Sequence, residues 1–184
     1  MLLIAIGSNL NGPWGTPVET AARAVRALQS CGVAVTRTSR FYRTAPIGPG
    51  RQAPYVNLLV AARSHLPPAA LLMVLHRIEA KAGRVRAGRW RARTLDLDLI
   101  AYHRLVLGWD PDRDPARMAG AVPRPGAVVV PHPRLHLRPF VVRPLVDIAP
   151  LWHHPVTGDS ASGLWLRLKR QADGRIVEVI NAAA

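Results

Sequence analysis

The sequence predicts a single α+β domain in which helices pack on an antiparallel β-sheet. Three observations support this class: short apolar runs of strand length recur, two segments carry helix start and stop signals, and Gly- and Pro-rich stretches separate them. A chain of 184 residues is long enough to bury a substantial core in one domain. The predicted elements follow one another as strand, helix, strand, strand, helix, strand, which is the order of a ferredoxin-like βαββαβ core with two helices on one face.

The first two elements are a buried strand and a capped helix. Residues 2–6 (LLIAI) form an apolar run that ends in a Gly-Ser-Asn turn. Thr16, Pro17 and Glu19 then supply an N-cap, a proline at the first helical position and the glutamate of a capping box. This pattern predicts a helix from residue 17 to about residue 30.

The next two strands are predicted at residues 33–44 and 55–64. Both segments are rich in β-branched and aromatic residues. The segment between them, APIGPGRQAP, is typical of a long loop.

A second helix is predicted after two consecutive prolines. Apolar residues keep helical spacing from position 71 to position 82, and Gly83 supplies a stop signal. The polar residues His76 and Glu79, three positions apart, share another face of this helix. Residues 94–101 then return to a strand pattern.

The C-terminal third is less regular. Residues 104–126 contain several prolines and alternating charges, which predicts an insertion loop. Ordered structure is expected again at 128–150, and a hairpin-like segment is expected at 174–180. We therefore expect one domain over residues 1–184, with 151–184 as a C-terminal extension.

The composition limits the possible partners. Twenty-five basic residues against 11 acidic ones give a net charge of +14, which favours polyanions: nucleic acid, an anionic membrane surface or the polyphosphate of a small substrate. Because nearly all of these basic residues are arginines, the composition of a GC-rich genome explains the total equally well. The single cysteine excludes a disulfide framework, and no apolar window is long enough to span a bilayer. These features, with no signal peptide pattern, predict a cytoplasmic protein.

Two aspartates in the strand at 94–101 are the first candidate site. Side chains alternate along a strand, so Asp96 and Asp98 share one side while the leucines between and around them face the core. Two such carboxylates suit Mg²⁺, which is bound by one or two carboxylates together with nucleotide phosphates. The alternative is that both aspartates are paired with nearby arginines on an exposed face.

A basic segment precedes these aspartates. Residues 77–93 contain seven basic residues and one acid, Glu79. Arginine binds phosphate oxygens in a bidentate manner, so an arginine-rich loop facing metal-binding carboxylates suits phosphoryl transfer. The alternative is a nucleic-acid-binding loop in which Trp90 stacks on a base. The chain contains neither a Walker-type phosphate loop nor a dinucleotide-binding fingerprint.

Five spaced motifs resemble one known family. AIGSNL, FYRTAPIGP followed by PYVN, RIEAKAGRVR, RTLDLDLI and VPHPRLHLRPFVVRPLVDIAP are similar, in that order, to motifs of 6-hydroxymethyl-7,8-dihydropterin pyrophosphokinases. The resemblance runs from residue 4 to about residue 150. It implies a ferredoxin-like fold, a cytoplasmic monomer, and transfer of the pyrophosphoryl group of ATP to the pterin hydroxymethyl group, with release of AMP.

The resemblance also implies site residues and cofactors. It implies that Asp96 and Asp98 bind two Mg²⁺ ions, and that Arg84 and Arg93 act with them as catalytic residues. The implied ATP contacts are His76, Glu79, Arg86, Trp90, Arg93, Leu99, His132 and Arg138. The implied pterin contacts are Gly7, Thr44, Ala45, Ile47, Tyr55, Asn57, Asp96 and Phe140.

The chain departs from the family pattern in the nucleotide half of the site. His76 stands where a glutamine is frequent, Arg91 and Ala92 replace Gly-Pro, Ala127 replaces a basic residue, and Pro133 replaces a tyrosine. Two other functions therefore stay open: a basic ferredoxin-like domain that binds nucleic acid, and a relative that has changed its acceptor or lost activity. For the leading interpretation we expect small-molecule substrates only, with no nucleic-acid or membrane partner.

Overall fold

The computed structural model describes residues 1–47, 51–85, 91–109, 128–171 and 174–180. The strands in these ranges are β1 (Leu2–Ser8), β2 (Ala34–Thr38), β3 (Phe41–Thr44), β4 (Tyr55–Arg63), β5 (Asp96–Tyr102) and β6 (Ile176–Ile180). The helices are α1 (Pro17–Ser30), α2 (Pro68–Lys81), α3 (Pro139–Ile148) and α4 (Ala161–Leu168).

All strands form one antiparallel sheet. The order is β5-β1-β4-β3-β6, and β2 pairs with β4 alongside β3. Without β6, this is the order of a ferredoxin-like sheet, so the predicted βαββαβ core is confirmed.

The single strand predicted at 33–44 is wrong, because two strands occupy this segment. Thr38 pairs with Val60 and Tyr42 pairs with Asn57, so one extra residue lies between them on this side of the ladder. Ser39 explains the break: its backbone N–H donates to the Leu59 carbonyl and its hydroxyl accepts the Leu59 N–H, both at 2.9 Å. A side chain thus replaces a backbone carbonyl in the ladder.

Both faces of the sheet are covered by helices. On one face, the even-numbered side chains of β1 pack with α1 and α2, as predicted. On the other face, Leu3, Leu59 and Ile100 pack with α3 and α4, which extends the one-sided arrangement that the sequence predicts. The reason is visible in β1, where apolar residues occupy both sides of the strand, as in sheets buried on both faces.

The C-terminal extension contributes a helix and an edge strand. Helix α4 was not predicted, and α3 forms despite an internal proline, Pro144. The hairpin-like segment expected at 174–180 is wrong, because β6 pairs with β3, which lies far away in the sequence. This pairing depends on tertiary contacts, so local sequence gives no signal for it.

The helix boundaries follow the predicted signals. The Thr16 hydroxyl accepts the Glu19 N–H, and the Glu19 carboxylate accepts the Thr16 N–H at 2.7 Å, which completes the capping box. Helix α2 ends at Lys81, and Gly83 follows with φ of +79°. Among the described helices, none is long and apolar enough to cross a membrane.

Most of the predicted insertion at 104–126 lies outside the described residues. At its near end, Leu107 and Val130 exchange backbone hydrogen bonds of 2.8 and 3.0 Å. The Trp109 indole N–H also donates to the Pro131 carbonyl at 2.8 Å. These contacts bring the two described ends of the segment together.

Candidate active site

The main cavity has a volume of about 360 Å³ and opens beside the ends of β1, β3, β4 and β5. All eight residues that the resemblance assigns to the pterin lie in its wall: Gly7, Thr44, Ala45, Ile47, Tyr55, Asn57, Asp96 and Phe140. The wall also contains Arg93, Asp98 and Arg138 from the other assigned sets. The fold therefore gathers residues from four of the five sequence motifs around one cavity.

Gly7 and Asn57 form the floor of this cavity. A Cβ at Gly7 would lie 2.8 Å from the Asn57 Oδ1 atom and 3.9 Å from Tyr55 and Asp96 side-chain carbons. The buried Asn57 amide donates from Nδ2 to the Thr44 hydroxyl at 2.8 Å, which fixes its orientation. With aromatic rings from Tyr55 and Phe140 in the same wall, the cavity combines ring surfaces with oriented polar groups.

Asp96 binds two arginines at the edge of the cavity. Its Oδ1 accepts from Arg84 and its Oδ2 accepts from Arg93, both at 2.5 Å. The Asp96 side chain is 23% exposed and lines the cavity with Arg93, so this ion pair is reachable from the cavity. The two arginines expected to be catalytic thus meet at one of the two expected metal ligands.

Glu79 lies behind Arg84 rather than on an open helix face. It is buried, contacts the Arg84 guanidinium, and accepts the Leu97 backbone N–H at 2.8 Å. Burial raises the pKa of this carboxyl to about 7, although Arg84 acts in the opposite direction. Glu79 therefore links α2 to β5 and holds Arg84 beside Asp96.

Asp98 forms the second polar cluster, with Arg138 and His132. Arg138 donates to Asp98 at 3.0 Å, and His132 Nε2 lies 3.9 Å from the same carboxylate. Burial opposes ionisation of Asp98, but the neighbouring His132 and Arg138 outweigh it and hold its pKa below the ordinary value. Burial lowers the pKa of His132 to about 4. Because His132 Nδ1 accepts the Arg134 N–H at 3.0 Å, the neutral ring carries its proton on Nε2.

A smaller cavity of about 120 Å³ lies next to this cluster. Asp98, Leu99 and His132 line it together with Leu72 of α2 and residues 128, 129 and 133. Two of the expected ATP contacts, Leu99 and His132, thus share one apolar recess. His76 lies one turn beyond Leu72 on α2 and lines neither cavity. Arg86, Trp90 and Ala127 lie outside the described residues.

Asp96 and Asp98 fit a Mg²⁺ site in which a substrate supplies some of the ligands. Asp96 and Asp98 project from the same side of β5, and Leu97 between them is buried, as predicted. Within the described ranges, no group of three or more His, Cys, Asp or Glu side chains has metal-binding geometry. Oxygen ligands from two carboxylates suit Mg²⁺ with phosphates and water as the remaining ligands, and they do not suit a structural zinc ion.

The structure adds positioning residues that sequence reasoning missed. The Asn9 side-chain oxygen Oδ1 accepts the Arg93 backbone N–H at 2.8 Å, and Asn9 Nδ2 donates to the Ala53 backbone carbonyl at 3.1 Å. The Ser8 hydroxyl donates to the Thr94 carbonyl at 2.6 Å. The AIGSNL motif therefore holds Arg93 in the segment that leads into β5. Further residues in the cavity wall are Gln52, Arg91, Arg134, Leu137 and Gln171.

The chain is similar in sequence to known proteins over most of its length. A model of the family 7,8-dihydro-6-hydroxymethylpterin-pyrophosphokinase (HPPK) matches residues 3–150. The 2-amino-4-hydroxy-6-hydroxymethyldihydropteridine pyrophosphokinase of Haemophilus influenzae is 38% identical over 147 residues, which cover 79% of each chain. The Bacillus subtilis protein with the same name is 32% identical over 173 residues, which cover 93% of this chain and 91% of the relative.

A solved structure supports the fold. A crystal structure of Plasmodium falciparum HPPK-DHPS aligns with a TM-score of 0.65 at 12% sequence identity. The alignment covers 91% of this chain but only 43% of the larger Plasmodium chain. At this identity the similarity concerns the fold alone, and it matches the α+β architecture described above.

Proposed function

The chain belongs to the 7,8-dihydro-6-hydroxymethylpterin-pyrophosphokinase family, and from this premise we propose which residues carry out the family's reaction. The protein transfers the pyrophosphoryl group of ATP to the hydroxymethyl group of 6-hydroxymethyl-7,8-dihydropterin, a step of folate biosynthesis. The observation that carries the assignment of residues is the 360 Å³ cavity, whose wall combines the acceptor set with Asp96 and Asp98.

The reaction exchanges one phosphorus–oxygen bond for another. The hydroxymethyl oxygen of the pterin forms a bond to the β-phosphorus of ATP. The bond from that phosphorus to the oxygen shared with the α-phosphate breaks, and AMP leaves with this oxygen. The hydroxyl proton is released to solvent. Catalysis of such a transfer depends mainly on positioning and on stabilisation of charge.

The acceptor binds in the main cavity in this proposal. The pterin ring lies against Tyr55 and Phe140, and the Asn57 amide and the backbone at 44–47 bind its polar edge. Gly7 is required because a side chain there would meet the Asn57 amide and occupy the floor. The hydroxymethyl group then faces Asp96, which lies in the same wall.

Asp96 and Asp98 are the residues that would hold Mg²⁺, and we propose that they hold two ions. When bound, Mg²⁺ neutralises phosphate charge and favours ionisation of the attacking hydroxyl. The chain itself supplies Arg84 and Arg93, whose guanidinium groups lie 2.5 Å from Asp96 and bind the transferred phosphates. Glu79 and Asn9 hold these two arginines in place through a direct ion pair and a backbone hydrogen bond.

In this proposal the nucleotide binds at the smaller cavity, next to Asp98. The smaller cavity at Leu99 and His132 receives the adenosine part, and Arg138, which lines the main cavity and donates to Asp98, binds the phosphates. Neutral His132 offers an Nε2 proton as a hydrogen-bond donor without adding a charge. His76, on the neighbouring turn of α2, is the further adenine contact in this proposal.

The protein acts as a single domain over residues 1–184 and as a cytoplasmic monomer in this proposal. The nucleic-acid-binding alternative has no support in the reported relatives, whose names describe a pyrophosphokinase. A changed acceptor is also not favoured, because the complete acceptor set lines one cavity.

The proposal is tested by incubating the protein with ATP, Mg²⁺ and 6-hydroxymethyl-7,8-dihydropterin and separating the nucleotides. AMP is expected only when the pterin is present, and EDTA is expected to abolish its formation. Formation of ADP, or of AMP without the pterin, would contradict the proposed reaction. Turnover that persists in EDTA would contradict the proposed role of Asp96 and Asp98 in binding metal.

A further inference from the structure

The chain continues beyond the family match at residue 150 and returns to the acceptor cavity. We use the name closing segment for the described residues Gln171, Gly174 and Arg175 alone. Strand β6 begins directly after this segment and pairs with β3, where Ile176 lies opposite Thr44. Since Thr44 lines the cavity, β6 brings the closing segment to the cavity wall.

The closing segment is hydrogen bonded to the acceptor loop. The Ala45 N–H donates to the Arg175 carbonyl at 3.0 Å, which extends the β3–β6 pairing by one bond. Ala45 and Ile47 form the part of the wall that follows β3. Their backbone position therefore depends on the closing segment as well as on β3.

Gly174 packs directly against two residues of the cavity wall. It is buried and has φ of +66°, a conformation that favours glycine. A Cβ at this position would lie 2.9 Å from Phe140 Cδ1 and 3.0 Å from Ile47 Cδ1. Gly174 thus lies directly behind Ile47 and Phe140, which are both residues of the wall. Gln171 is itself part of the wall.

We propose that the closing segment is a positioning element for the acceptor site: Gly174 sets the separation of Ile47 and Phe140, and Arg175 fixes the loop at Ala45. Gln171 forms the outer wall of the same cavity. The segment acts on the acceptor and leaves the nucleotide side unaffected, because none of its described residues lines the smaller cavity. This inference rests on the proposed function, in which the main cavity binds the pterin.

Two glycine variants separate the contact of residue 174 with the cavity wall from the effect of backbone strain. Gly174→Ala adds a methyl group that must displace Phe140 or Ile47. Gly158→Ala is the matched control, because Gly158 has a similar φ of +74° but no atom within 4 Å of the added Cβ. Both variants carry the same kind of backbone strain, and only the first presses on the cavity wall.

The expected result is a selective loss of acceptor affinity. We expect Gly174→Ala to raise the KM for the pterin about tenfold and to change the KM for ATP less than about twofold, since small displacements in a binding site have large effects. Gly158→Ala is expected to leave both constants within about twofold of the wild type. Equal effects of the two variants, or an equal rise in both KM values for Gly174→Ala, would overturn the inference.

A second pair covers the case in which Gly174→Ala does not fold. Gln171→Ala changes an exposed residue of the cavity wall, and Gln29→Ala is its exposed control on α1. Only Gln171→Ala is expected to raise the pterin KM, by about threefold, roughly one weak hydrogen bond. No difference between these two variants would overturn the proposed role of the segment. Failure of the wild type to form AMP would contradict the proposed function instead, so the two failures are distinguishable.

Discussion

Asp96 and Asp147 are both bound by two arginines, yet they belong to different kinds of site. Asp96, which lies in the wall of the main cavity, pairs with Arg84 and Arg93. Asp147 of α3 pairs with Arg40 and Arg143 at 2.8 and 3.1 Å, and it lines neither described cavity. An arginine–aspartate cluster is therefore not sufficient to identify chemistry in this protein. The cavity beside the cluster makes the difference.

Asp147 joins the sheet to the helical layer on its second face. Its Oδ2 accepts the Tyr42 hydroxyl at 2.6 Å and both the backbone N–H and the Nε–H of Arg40 at 3.2 Å, while Oδ1 accepts from Arg40 and Arg143. The Arg143 guanidinium also lies over the rings of Tyr42 and Trp165, at 5.4 and 5.6 Å from their centres. These contacts connect β3 to α3 and α4, which is a structural function.

The largest expected difference between the two clusters is in turnover. We expect Asp96→Asn to lower kcat by about 100-fold or more, the usual loss when a preorganised charge-stabilising group is removed. Asp147→Asn is expected to retain kcat within about threefold, because Asp147 does not contact either cavity. The measurement is initial-rate AMP formation at saturating substrates. The comparison fails if both variants lose activity equally while their circular dichroism spectra match the wild type.

The second difference is in stability. Asp147→Asn is expected to lower the free energy of unfolding by about 2 kcal/mol, because charged hydrogen bonds are lost at a side chain that is only 11% exposed. Asp96→Asn is expected to lower it less, since Asp96 is more exposed and lies with Arg93 in the wall of an open cavity. Urea unfolding followed by tryptophan fluorescence measures both values. A larger loss for Asp96→Asn would reverse the structural and functional assignments.

The smallest expected effect is the pH dependence of the Asp147 contribution. Burial raises the pKa of this carboxyl, but its hydrogen bonds to Arg40 and Tyr42 and the charge of Arg143 outweigh it, so the folded-state pKa lies below the ordinary value. Its stabilisation is therefore complete above the unfolded-state pKa of about 3.9 and is lost as the pH falls through the lower folded-state pKa. Urea unfolding of wild type and Asp147→Asn is expected to differ at pH 6 and to converge as the pH falls below about 4. A constant difference over this range would contradict the ionic role of Asp147.

Local sequence signals predicted the elements that depend on local interactions. The Thr16–Glu19 capping box and the Gly83 stop were visible because their partners lie within a few residues. The alternation of Asp96 and Asp98 with buried leucines follows from strand geometry alone. The break at Ser39 was not visible, because it depends on which backbone N–H the serine side chain meets on β4.

The sequence predicts those residues of the candidate site that belong to recognisable motifs. The acceptor residues come from separated motifs, and their convergence on one cavity required the order of the sheet. Gly174 and Gln171 lie outside the family match, and the end of α4 and the pairing of β6 with β3 bring them to the cavity. Nothing in a local glycine or glutamine predicts such a contact, because it is created by tertiary structure. The burial of Glu79 was missed for the same reason.

The central claim is that the protein transfers a pyrophosphoryl group from ATP to the pterin. The most direct test is to determine whether the β- and γ-phosphates of ATP are both found on the pterin product. Phosphorus NMR of a reaction with Mg²⁺, ATP and 6-hydroxymethyl-7,8-dihydropterin follows the nucleotide and the product together. We predict one AMP for each pterin diphosphate, with the two product phosphates coupled to each other, and no such product with Asp98→Asn. Formation of ADP together with a pterin monophosphate, or an unchanged yield with Asp98→Asn, would contradict pyrophosphoryl transfer at this site.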